Sequence, residues 1–393
     1  MVEKYDFDEV INRIGTQCGK WDLLPQLFNL DPHDAIPMGV ADMDFRPPQA
    51  VSDALQGMLD HGIYGYYGAR DSYHAAIVNW QQRHHGWTID PSWIFEAHGL
   101  VNGTALCVDA FTEPGDGVIL FTPVYYVFYR VLNAANRQVV ESPLVNVEGR
   151  YEMDLDALEA SLTGNEKMIV FCSPHNPGGR VWSVEELRAL CDFCIKHDLI
   201  LVSDEVHQDL VYPGHKHTPM PLVSRDITSR VVTMNAGTKT FNMAGAHLGN
   251  VIIEDEQLRE KFAARINGLS ISPGSFGMVM TEAAYNGGDE WLRQLIAYLD
   301  DNRRYFDSRV AGIPGLKSMQ LEGTYLAWVD FSGAGMSRQE YTDRVQKTAR
   351  IATNHGPPFG KGGEDYLRFN FALPRTLLLE AADRLEDAFS DLQ

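Results

Sequence analysis

The chain has 393 residues, 45% of them hydrophobic and 22% charged, an ordinary composition for a globular enzyme and enough length for two domains. Acidic residues outnumber basic ones 53 to 33, and the formal charge of −20 argues against nucleic acid and anionic membrane surfaces as partners. No apolar run approaches the roughly 18 residues needed to span a bilayer, and the first residues lack a basic-then-apolar leader pattern, so the expected location is the cytoplasm.

Residues 1–45 start acidic, show no strong period and read as an N-terminal arm. Pro47-Pro48 opens a helix to about Leu59, with Ala50, Val51, Ala54, Leu55 and Met58 on one face. Residues 61–68 hold too much glycine for a regular element, and helical spacing returns through Tyr73, Ala76, Ile77 and Trp80. A short strand over 93–97 leads to Gly99, which opens a helix through Phe111. The free first-turn amides and positive dipole end of such a helix suit a phosphate.

Strands and helices then alternate over 117–121, 124–133, 137–142, 154–162, 167–172, 184–197, 199–203 and 230–235, with a further strand over 249–253. That order predicts βαβ units and an α/β fold with a mostly parallel central sheet flanked by helices. Within 184–197, Cys191 and Cys194 fall on the same helical face as Leu187, Leu190 and Ile195, so this C-x-x-C reads as apolar packing rather than a metal or redox site. Five cysteines at irregular spacing do not make a disulfide framework.

Residues 270–275 read as a loop, and helices follow over 276–285 and from Glu290 to about Val310. Strands over 324–330 and 366–371 and helices over 337–348 and 376–389 complete a smaller α/β domain. The expected organisation is an arm over 1–45 that joins the small domain, a large domain over 46–288 and a small C-terminal domain over 289–393.

Three apolar runs end in polar signatures. Residues 167–172 lead into Ser173-Pro174-His175-Asn176-Pro177-Gly178-Gly179-Arg180, 198–202 into Ser203-Asp204-Glu205, and 230–234 into Asn235-Ala236-Gly237-Thr238-Lys239. Ligands of open α/β sheets bind outside the carboxyl ends of the strands, so Asn176, Asp204 and Lys239 are expected to converge on one crevice. An amide, a carboxylate and an amine so placed match a pyridoxal 5′-phosphate site. Lys239 would hold the aldehyde as a Schiff base, Asp204 would keep the pyridine nitrogen protonated and Asn176 would bond the phenolic oxygen.

Asn-Pro-Gly-Gly, Ser-Asp-Glu and the lysine, in this order and spacing, resemble the fold type I class I/II aminotransferase superfamily of pyridoxal phosphate enzymes. Val40-Ala41-Asp42-Met43-Asp44-Phe45, Gly65-Tyr66, Thr122-Pro123-Val124-Tyr125 and Lys239-Thr240-Phe241-Asn242 resemble its carbon–sulfur lyase branch, that of MalY, PatB and cystathionine β-lyase. The resemblance runs from about Asn12 to Arg375. It implies that Tyr125 stacks on the cofactor ring, that the backbone of Leu100 and Val101 and the Thr238 hydroxyl hold the phosphate, and that His207 stands behind the ring-binding groups. It also implies that Arg368 grips the substrate α-carboxylate through paired N–H donors, and that Tyr66 reaches in from the neighbouring subunit of a homodimer.

Two positions depart from the transaminase pattern. His247 stands where an arginine commonly meets the phosphate, and Ala236 where a serine does; the lyase branch also lacks that arginine. His98 replaces a proline frequent in the branch, without an account. The expected activity is β-elimination from L-cystathionine or a related cysteine S-conjugate. An aminotransferase is the alternative, and a regulatory role through protein contact is a third reading from another class.

Overall fold

The computed structural model describes residues 4–68 and 70–392; Met1–Glu3 of the expected arm, Ala69 and Gln393 lie outside them. Seven strands form the central sheet: β1 Ile94–Ala97, β2 Gly117–Thr122, β3 Gln138–Pro143, β4 Glu166–Cys172, β5 Ile200–Asp204, β6 Val231–Asn235 and β7 Gly249–Ile252. Their spatial order is β1-β7-β6-β5-β4-β2-β3. Only β7 runs antiparallel to its neighbours, so the expected mostly parallel sheet is observed. Strands β2, β4, β5 and β6 read as continuous apolar runs because helices cover both faces of a parallel sheet; β2 is buried throughout, and so is β6.

The pairing aligns the strand ends. Cys172 lies opposite Asp204, and Asp204 opposite Met234, so the three polar signatures leave the sheet side by side. Helix α1, Leu100–Phe111, follows β1 through Gly99 (φ +81°) and packs on the sheet so closely that a side chain at Gly103 would press on Met234 Sδ at 3.1 Å. Helix α2, Val184–Lys196, starts in a capping box between Ser183 and Glu186. It buries Leu187, Leu190, Cys191 and Cys194, as the helical spacing predicts, and burial pushes the Cys191 thiol up to about 12. Among the described residues no His, Cys, Asp or Glu cluster is arranged for a metal ion, and no helix is long and apolar enough to cross a membrane.

A second, antiparallel sheet comprises β8 Lys317–Ser318, β9 Leu326–Asp330, β10 Asn354–His355 and β11 Tyr366–Asn370, in the order β8-β9-β11-β10. The long helix α3, Asp289–Ala311, braces it: the Asn302 amide donates to the carbonyls of Phe371 (3.2 Å) and Leu373 (2.9 Å). Ile36–Pro37 pairs in parallel with Ile351–Ala352, which brings the early chain to this sheet.

Some boundaries moved for local reasons. The helix expected over 124–133 begins at Val127, because Val124 N is drawn to the carbonyl of Phe359 at 2.8 Å, which holds Val124 and Tyr125 outside any regular element. Trp93 belongs to a 3-10 turn capped by Asp90, not to the strand. The helix expected over 337–348 is α-helical only over Arg338–Asp343 and widens to a π-turn over Arg344–Thr348.

A buried ion cluster ties the two sheets together. Glu322, ahead of β9, accepts from Arg180 Nε (3.0 Å), Val181 N (2.7 Å) and Arg150 Nε (3.0 Å), all in the large-sheet region. Arg180 is fully buried and keeps Glu186 at 2.7 Å as a second carboxylate, but removing Glu322 leaves its Nε and the Val181 N–H without an acceptor. Glu322→Ala is therefore expected to lower unfolding free energy by about 3 kcal/mol, read from the urea midpoint at unchanged m-value.

Candidate active site

The crevice lies beyond the carboxyl ends of β2, β4, β5 and β6. Lys239 sits on the short helix Gly237–Thr240 directly after β6, and its Nζ donates to the carbonyl of Ala41 at 2.5 Å. Burial lowers its amine to about 8, although Asp42 and Asp204 both pull the other way. Asp204, the last residue of β5, is raised to about 7, again chiefly by burial. Its Oδ1 accepts from Val206 N at 3.1 Å, which leaves a carboxylate with spare acceptor capacity in a water-poor site. A cationic N–H donor is what such a carboxylate lacks.

Arg368 lies on β11 between β9 and β10, opposite Trp328 and Asn354, and is 2% exposed. Its Nη1 donates to Asn176 Oδ1 (3.0 Å), and its Nη2 to Gly39 O (2.9 Å) and Asn354 Oδ1 (2.7 Å), while Nε has no partner. Burial lowers its pKa, yet a guanidinium stays charged. A buried cation with only neutral acceptors around it is a receptor for an anion.

Tyr125 is half-buried, with its hydroxyl pushed up to about 12 by desolvation, and it feels the charges of both Arg368 and Asp204. His207 is buried and held neutral, lowered to about 3 by burial first and by Lys239 and Arg368 next; its Nδ1 lacks a partner. Leu100 and Val101 form the first turn of α1, where no helix carbonyl accepts the amide protons. Thr238 is half-buried beside Lys239. Asn176, Asp204, His207, Tyr125, Lys239 and Arg368 are thus linked by bonds or short-range charge effects. Tyr66 stands apart, fully exposed on the loop after residue 62. His247 and His98 are also exposed.

These residues fit pyridoxal 5′-phosphate. The lysine amine, the under-bonded Asp204, the open helix N-terminus after a positive-φ glycine and the half-buried tyrosine supply one partner for each part of that molecule.

The sequence reading missed the framework of segment 39–45. Ala41 O accepts from Lys239 and from Tyr325 OH (3.0 Å); Asn370 Nδ2 donates to Val40 O (2.7 Å) and Asp42 O (2.6 Å). Asn242 bonds Met43 N (2.8 Å), Met43 O (2.9 Å) and Phe45 O (2.6 Å). Asp44 is buried against Lys20 (2.8 Å) and Arg13 (2.5 Å), which also pairs with Asp42. The pair of aspartates in Ala41-Asp42-Met43-Asp44 was the available signal, since buried carboxylates need cations.

Comparison with known proteins agrees with this geometry. The model of the family described as aminotransferase class I and II matches residues 33–385. Cystathionine beta-lyase PatB of Bacillus subtilis is 39% identical over 98% of this chain and 100% of its own, and Protein MalY of Escherichia coli is 31% identical over 95% and 96%. The crystal structure of cystalysin from Treponema denticola, which contains a pyridoxal 5′-phosphate cofactor, superposes with a TM-score of 0.95 at 35% identity and full coverage of both chains. With nearly the whole chain matched in sequence and in fold, the protein belongs to the class I and II aminotransferase family.

Proposed function

We propose that the protein is a pyridoxal phosphate-dependent carbon–sulfur β-lyase, cleaving L-cystathionine or a related cysteine S-conjugate to a thiol, pyruvate and ammonia. The observation that carries this reading is the set of Lys239, Asp204 and Arg368 gathered in one crevice of a chain 39% identical to a cystathionine beta-lyase. When bound, pyridoxal phosphate supplies an electron sink for negative charge at the substrate Cα.

The chain's own residues do the rest. Asp204 keeps a proton on the ring nitrogen, a task suited to a carboxylate that regains its charge once a cation faces it. Asn176, oriented by Arg368 Nη1, bonds the ring oxygen, and Tyr125 holds the ring by stacking. The amides of Leu100 and Val101 and the Thr238 hydroxyl take the phosphate, and neutral His207 stands behind the ring-binding groups. Arg368 fixes the substrate carboxylate and hence the direction of its Cα–H bond. Lys239, with its amine lowered to about 8, has a far larger neutral fraction near pH 7 than an ordinary lysine and removes the Cα proton.

The domain division at residues 45 and 288 belongs to the same reading, supported by the separate sheets. So does a cytoplasmic location, supported by cysteines that are all unpaired. Shared sites in a homodimer are supported by the exposed apolar residues Ile63, Tyr64 and Tyr66, with Tyr64 against exposed Phe276 at 5.5 Å between ring centroids.

Incubation with L-cystathionine is expected to release thiol and pyruvate in equal amounts with no 2-oxo acid added. Lys239→Ala should cut the rate by about 10³-fold. Yields no higher than those of that variant, or product only when a 2-oxo acid is supplied, would sink the lyase reading; the second result would indicate a transaminase. For the dimer, mixing inactive Lys239→Ala and Tyr66→Ala chains through a mild unfolding–refolding cycle should restore about a quarter of wild-type activity, since half the dimers then hold one intact site. Mixed dimers without regained activity would refute the shared site.

A further inference from the structure

Asp209 lies outside the crevice, five residues beyond Asp204, yet it is bonded to the chain on every side. Its Oδ2 accepts from the hydroxyl of Thr240, the neighbour of Lys239, at 2.8 Å. Its Oδ1 accepts from Trp80 Nε1 at 3.1 Å and lies 2.8 Å from His85 Nε2. Both residues belong to the helix Asp71–His85, which follows the loop bearing Tyr66. Thr240 and Trp80 are fully buried, and the Asp209 side chain is 1% exposed. Burial opposes the charge on this carboxyl, but the bonds from His85, Thr240 and Trp80 outweigh it and hold its pKa below the usual range. No step of the proposed chemistry uses this carboxylate.

Its geometry nevertheless gives it a task. β5 and β6 are paired only up to Asp204 and Met234. Beyond that point the turn carrying His207 and Asp209 and the helical turn carrying Lys239 leave the sheet as separate segments. The Asp209–Thr240 bond rejoins them a few residues later. We propose that Asp209 is a positioning residue: through Thr240 it fixes the Lys239 turn against the turn that follows Asp204, with His85 and Trp80 anchoring the carboxylate to the helix behind. A carboxylate suits the junction because it accepts from three donors at once, which neither an amide nor a hydroxyl does.

The inference builds on the lyase reading, but one of its measurements does not need turnover. Competitive acetylation of the full-length, cofactor-free protein across pH, with Lys239 followed by peptide mass mapping, should place the wild-type amine at about 8. Thr240→Val keeps the side-chain shape and removes the donor. It is expected to raise that midpoint by about one unit toward the ordinary lysine value, because a loosened turn lets water reach the amine. In the cofactor-loaded enzyme the same variant should lower kcat about tenfold with KM little changed. Thr240→Ser restores the donor and should return both quantities to wild type, while Asp209→Asn reproduces the Thr240→Val changes as an independent variant.

An unmoved Lys239 midpoint and unmoved kcat in Thr240→Val and Asp209→Asn would overturn the assignment. So would a loss that Thr240→Ser fails to rescue, which would mark the junction as packing alone. A wild-type protein without lyase turnover would remove the functional reading while the acetylation midpoints still decided the role of Asp209.

Discussion

Desolvation of opposite charges in one crevice is the constraint that organises this protein. Lys239 and Asp204 attract one another, yet burial outweighs that attraction for both, lowering the amine to about 8 and raising the carboxyl to about 7. Neither group is in its ordinary state, and the polar architecture around them keeps them from escaping to solvent or closing onto each other. A paired sheet end fixes Asp204, a four-residue helix fixes Lys239, and the carbonyl of Ala41 accepts the hydrogen bond from Lys239 Nζ that the carboxylate does not.

The carbonyl is held as firmly as the charges. Segment 39–45 has almost no regular structure, and its polar backbone groups are satisfied by side chains from distant parts of the chain: Arg368, Asn370 and Tyr325 on one side, Asn242 and Lys239 on the other. Underneath, the carboxylates of Asp42 and Asp44 are matched by Arg13 and Lys20. Buried charges of both signs balance locally, which suits a molecule whose overall charge is strongly negative.

Much of this was legible in the residues. Apolar runs ending in Asn176, Asp204 and Lys239 announce strand ends, and parallel pairing then makes their convergence a matter of topology. The C-x-x-C of Cys191 and Cys194 declares its apolar role through its spacing with Leu187 and Leu190. The receptors of Lys239 and Arg368 were not legible, because Ala41 O and Gly39 O are backbone atoms that every sequence possesses. Asn354 and Tyr325 escaped notice for a related reason: their partners lie far away along the chain, and a single sequence carries no trace of such a meeting. The misplaced start of the Val127–Ala134 helix has the same origin, a tertiary bond from Val124 to Phe359 overriding a local pattern.

The bond from Arg368 to the carbonyl of Gly39 joins residues 329 positions apart. During synthesis the parallel sheet has all its strands once Ile252 has left the ribosome, but the guanidinium that seals the crevice emerges more than a hundred codons later. Until then the residues of segment 39–45 lack several of their donors, since Tyr325, Arg368 and Asn370 all come later in the chain. The order of translation thus makes the anion receptor one of the last features to appear, so a chain arrested before β11 lacks the group that would orient a substrate.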